Sequence, residues 1–108
     1  MMQSIEIQQR FSSIKQAIVQ AAQTVMNDSS TPSQLRECIQ KLDRQSSMAS
    51  DVMQSQDQER IRQCVEDMES LGDEAKRVCR TELEVTPAVK EAVLRVHDEL
   101  SDLKHQLH

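Results

Sequence analysis

A chain of 108 residues, 37% hydrophobic and 29% charged, has enough apolar content for one folded core and does not have the composition of a disordered tail. With one Gly, two Pro, one Phe and no Trp or Tyr, it lacks the turn residues and aromatic strands that an all-β fold needs. A net charge of −5 and a pI near 5.1 argue against a nucleic-acid footprint and against docking on an anionic membrane.

The first helix is predicted from about Gln3 to Asn27. Ile7, Phe11, Ile14, Ile18, Ala21 and Val25 recur at alternating steps of four and three, which places them on one face. Val19, Ala22 and Met26 widen that stripe toward the C-terminal end, a width that suits a bundle core better than a two-stranded coiled coil. Asp28-Ser29-Ser30 breaks the pattern.

Thr31-Pro32 restarts it, with Thr31 as expected N-cap and Pro32 as first helical residue. This second helix, predicted over 32–54, carries Leu35, Cys38, Ile39 and Leu42. It weakens through Arg44-Gln45-Ser46-Ser47 and resumes with Ala49, Val52 and Met53. Ser55-Gln56-Asp57-Gln58 is polar and offers two N-caps, Ser55 and Asp57. With no Gly or Pro to stop the chain, the alternative is a continuous helix and a three-helix protein.

The third helix, over about 58–83, keeps Ile61, Cys64, Val65, Met68, Leu71, Ala75, Val78 and Cys79 in phase. Gly72 lies inside it, and the seam does not slip there. That predicts a close-packing point or mild kink. The fourth helix, over 87–107, opens at Thr86-Pro87 and carries Val89, Ala92, Val93, Val96, Leu100, Leu103 and Leu107. Thr31-Pro32 and Thr86-Pro87, with the stretches after them, form a weak internal repeat that favours four helices. The expected fold is all-α: a single domain over 1–108, an antiparallel up-down bundle of four helices.

Candidate chemistry is sparse. Cys38, Cys64 and Cys79 fall on apolar seams and are expected to be buried, inert thiols; no C-x-x-C pair suggests zinc. His97, His105 and His108 all lie on the last helix. Asp102 and His105 have a carboxylate-x-x-His spacing that di-metal bundles use, but both lie off the apolar stripe.

The acidic run Glu66-Asp67, Glu69, Asp73-Glu74 is the densest charge feature. Glu69 and Asp73, four apart, are expected to repel, and Asp73 to pair with Arg77. Leu71-Gly72-Asp73-Glu74-Ala75, with Glu69 before it, resembles a motif of the PhoU family of phosphate-signalling bundles. That resemblance implies acidic residues on helical bundles that bind metal. It spans about ten residues in one copy, on a chain half that family's usual length, and is read here as coincidence. The residues nominated for metal are thus Glu69, Asp73, Asp102 and His105, with a solvated face as the preferred reading of each.

No Gly-rich phosphate loop, strained Ser elbow or aromatic pocket wall appears, so no enzymatic activity or cofactor is expected. The start, Met1-Met2-Gln3-Ser4-Ile5-Glu6, has neither a basic nor an apolar signal region, and no apolar run approaches the roughly 18 residues of a membrane span. The expected protein is a cytoplasmic, non-enzymatic interaction or assembly module, binding a protein partner or itself as a homodimer. The broad stripe of the first helix and the off-seam Val52 and Leu94 are its candidate contact surfaces. The alternative is a metal-binding or regulatory bundle using surface carboxylates and His.

Overall fold

A computed structural model of the chain describes residues 4–82 and 84–107. It contains four α-helices: α1 (Ser4–Asn27), α2 (Ser33–Gln54), α3 (Gln58–Thr81) and α4 (Pro87–Leu107). Gln3 and Leu83, the predicted ends of the first and third helices, and His108 lie outside the described residues.

Each helix packs on two neighbours, α1 on α2, α2 on α3, α3 on α4 and α4 back on α1, so the four enclose one core. Cross-links pair rising residue numbers with falling ones. Ser13 meets Glu99 while Gln20 meets Arg95, and Glu69 meets Lys104 while Asp73 meets His97.

The apolar periodicity fills that core. Ile7, Phe11, Ile14, Ile18, Ala21 and Val25 are all buried, as are Val89, Val93, Val96, Leu100 and Leu103. Burying a large aliphatic side chain stabilises by about 1.5–3 kcal/mol relative to leaving it in water. The expected widening of the α1 stripe holds only for Ala22, which packs against the core edge. Val19 and Met26 are 40% and 69% exposed, and Ala22 is half-buried, while Ala17 on the opposite flank is buried. The core-facing arc of α1 is set by its two neighbours, and it leans toward Ala17.

The turns explain where the helices stop. After α1, Oδ1 of Asp28 accepts hydrogen bonds from the Ser30 amide (3.0 Å) and hydroxyl (2.6 Å), and the Thr31 amide donates to the Asp28 carbonyl (3.1 Å). This turn draws Thr31 inward, where its hydroxyl is buried without a hydrogen-bond partner. Thr31 is therefore not the N-cap. Pro32 (φ −58°, ψ 143°) takes that place, its carbonyl accepting from the Arg36 amide at 3.1 Å. At the matching site before α4 the expected cap forms: the Thr86 hydroxyl accepts from the Val89 amide (3.4 Å) and its carbonyl from the Lys90 amide (3.0 Å).

Helices α2 and α3 are separate. Ser55 closes α2 onto the Val52 carbonyl, and Asp57 caps α3 by accepting from the Arg60 amide at 3.2 Å. Between them Gln56 takes φ 62°, the left-handed conformation that glycine adopts without cost. Gln56→Gly is expected to raise stability by about 0.5–1 kcal/mol, read as a higher urea midpoint at unchanged slope. A lower midpoint would mean that the Gln56 side chain stabilises the turn.

Gly72 is the close-packing point that the sequence suggests, and α3 runs through it unbroken. A Cβ built there would lie 3.5 Å from Leu100 Cδ1 and 3.7 Å from the His97 Cα, ordinary contact distances. An alanine fits, and removing an interior helix glycine gains about 1 kcal/mol. Gly72→Ala should therefore stabilise the protein. Thermal unfolding followed at 222 nm checks the sign, and a lower midpoint would show that the helix pair needs the glycine.

Candidate functional site

Three seams on the surface of the bundle carry the chemistry of this chain. The first lies between α3 and α4, where the wheel positions of Glu69 and Asp73 turn both toward α4. There Nζ of Lys104 donates to Glu69 Oε1 at 3.3 Å, and Nε2 of His97 lies 2.6 Å from Asp73 Oδ1. Nδ1 of His97 lies 3.3 Å from Asp98, so the ring sits between two carboxylates with its side chain only 13% exposed. The His97 Cα lies 3.7 Å from where a Cβ on Gly72 would be, so α3 and α4 are close enough here for the imidazole to reach across.

This arrangement changes the reading of the acidic run. The repulsion expected between Glu69 and Asp73 is relieved because each carboxylate faces its own partner on α4. The expected Asp73–Arg77 pair does not form: Arg77 instead approaches Glu74 at 3.9 Å, and Asp73 turns to His97. Glu69 has an ammonium where a metal ion would sit. Asp102 and His105 are exposed on α4. Among the described residues, no three His, Cys, Asp or Glu side chains gather into a set that could hold a metal ion. His97 is the site residue that no motif singles out. The sequence places it on the flank of α4, three residues before Leu100, but does not carry the register that brings it opposite Asp73.

The second seam lies between α1 and α4. The Ser13 hydroxyl donates to Glu99 Oε1 at 3.0 Å, and the Arg95 guanidinium donates to Gln20 Oε1 at 3.2 Å. At the end of the bundle the two loops are tied as well. The Thr86 hydroxyl donates to Asp28 Oδ2 (2.9 Å), and the Arg36 guanidinium donates to the Asp28 carbonyl (2.8 Å). The hydroxyls of Ser30 and Thr86 and the Ser30 amide hold the Asp28 carboxyl below its ordinary value, with Arg36 adding a little.

A carboxyl with a lowered folded-state pKa stabilises the fold above its unfolded pKa of about 3.9 and loses that contribution as pH falls through the folded value. The stability gap between wild type and Asp28→Ala should therefore be constant from neutral pH down to about 5 and close in more acid solution. A gap that persists unchanged at the acid end would show that the carboxylate charge is irrelevant to the loop clamp.

The third seam is a groove between α2 and α3, about 330 Å³ in volume. It is lined by Gln45, Met48, Ala49 and Val52 from α2 and by Arg60, Gln63, Cys64 and Asp67 from α3. Met48 stands 68% exposed at its rim. Cys64 is half-buried in it, unlike Cys38 and Cys79, which are buried, so the expectation of three buried thiols holds for two. Burial pushes all three thiols up, with Asp67 adding to the effect at Cys64. A thiol raised in this way stays protonated at neutral pH and is a poor nucleophile.

No helix among the described residues is long and apolar enough to cross a membrane. No family model, no curated protein and no solved structure matches this chain, so the short resemblance around Gly72 brings no family with it.

Proposed function

We propose that this protein works through surface contacts, as a non-enzymatic protein-interaction or assembly module that docks through the α2–α3 groove. The observation that carries this reading is Met48. A flexible, polarizable side chain stands 68% exposed beside Ala49, Val52 and Cys64, in a groove whose rim is mostly uncharged. Depletion of charge around exposed apolar groups is the surface signature of contact sites, and methionine adapts to the shape of a partner. The acidic surface disfavours nucleic acid as that partner. Three unpaired thiols suit a reducing compartment, and the reading places the protein in the cytoplasm.

The test is site-specific photo-cross-linking in intact cells. A cross-linking residue at position 48 is expected to yield discrete adducts. The same residue at His105, exposed on α4 away from the groove, is expected to yield few. Equal labelling at both positions, or none at either, would remove the groove as a docking face.

A further inference from the structure

The two charges at the ends of the groove are the feature that bears on its occupant. The groove is the open side of a helical hairpin turning at Gln56, and its lining residues lie in pairs equidistant from that turn: Val52 with Arg60, Met48 with Cys64, Gln45 with Asp67. Arg60 and Asp67 lie on the same face of α3, two turns or about 10.5 Å apart, on either side of Cys64. The Arg60 guanidinium makes no hydrogen bond or ion pair with another described residue, and Asp67 holds only the Gln63 amide at 3.1 Å. The groove thus presents a cation at one end, an anion at the other and an uncharged centre.

We infer that the groove is covered by a second copy of this chain, packed about a two-fold axis that crosses α2 and α3 at the level of Met48 and Cys64. This rests on the interaction reading above and names its partner. A two-fold axis makes a patch meet itself, with residues near the axis meeting their own copies. Here the axis lies perpendicular to the helices, so α3 meets α3 of the second copy head to tail. Arg60 then stands opposite Asp67 of the second copy, and the reverse pair forms on the other side. Met48 packs against Met48, and the two Cys64 thiols face each other across the axis. For a chain of net charge −5, association needs a locally neutral face, and this one is neutral by pairing. With the axis eight residues, or about 12 Å, from the turn at Gln56, the two copies overlap over about 24 Å of their length, which makes this an interface at the small end of the range.

The experiment is analytical ultracentrifugation across a concentration series, with charge reversals at the two ends of the groove. Wild type is expected to dimerise. Arg60→Glu or Asp67→Arg alone is expected to weaken the dimer at least tenfold, and the double reversal to recover it. In parallel, a Met48→Cys variant under mild oxidation is expected to give a disulfide-linked dimer, because position 48 is 68% exposed and meets its own copy at the axis, and Val19→Cys, away from the groove, is expected to give none. If a reversal impairs folding, seen as loss of helical circular dichroism, the Met48→Cys cross-link decides. A wild type that stays monomeric at several hundred micromolar, or single reversals without effect on a dimer, would overturn the inference. In that case, adducts at position 48 of a mass other than the dimer's would leave the interaction reading standing. Absence of any adduct would remove both.

Discussion

Leu100→Ala should cost about 3 kcal/mol of folding stability, among the largest effects of any single side-chain truncation in this protein. Leu100 is fully buried on α4 and lies over Gly72, so the surface beneath it has no side chain of its own. Shortening the leucine removes its transfer energy and leaves a cavity that the glycine cannot help to fill. The cost of a Leu→Ala change runs about 2–5 kcal/mol and rises with the volume left empty. For a domain of this size the loss corresponds to a melting point lower by roughly 15 °C. With no Trp or Tyr in the chain, urea unfolding is followed by circular dichroism at 222 nm. Adding Gly72→Ala to Leu100→Ala should recover more than Gly72→Ala gains alone, because the new methyl enters the vacated space. A loss below about 1 kcal/mol would mean that Leu100 is not seated in the core as described.

Ser46 gives the second large effect. It lies on the core-facing side of α2, between Leu42 and Ala49, and is completely buried. Its hydroxyl donates to the Asp43 carbonyl at 2.8 Å, one turn back on the same helix, so its polarity is satisfied locally. What the position requires is small volume. Ser46→Leu forces a branched side chain into a filled space and should cost about 2 kcal/mol. Ser46→Ala removes both the hydroxyl and its need for a partner and should be nearly neutral, within about 0.5 kcal/mol. The contrast is the test. If leucine is tolerated as well as alanine, the interior has a void there; if alanine is costly, the hydroxyl has a partner across the bundle.

Ser46 also shows where one-dimensional reading stops. In sequence, Arg44-Gln45-Ser46-Ser47 looks like a weakening of the seam, because polar side chains are ordinarily exposed. The structure keeps the seam in phase and makes Ser46 its narrow point. Cys64 is the reverse case: it holds the heptad phase on α3, yet the groove leaves it half open to solvent.

The loops divide in the same way. Thr31-Pro32 and Thr86-Pro87 are equivalent as strings, and each carries the same cap signature. Only Thr86 does, because the turn built on Asp28 commits the Thr31 amide and turns its side chain inward. That turn is joined to Thr86 itself across 58 residues of sequence, a contact that no local signal announces.

What the sequence determines by itself is everything that depends on neighbours within a turn or two. The four helices, their approximate ends and the side each must bury follow from apolar residues every three to four positions, because that pattern is a property of one helix alone. What the tertiary structure decides is register. Glu69 and Asp73 appear as a repelling pair along one helix and become two separate partnerships only when α4 slides Lys104 and His97 opposite them. Arg60, Met48 and Asp67 become one surface only when α2 folds back on α3. Relative placement of helices is a sum of many small contacts between distant segments, and a periodic pattern is nearly unchanged by sliding one turn.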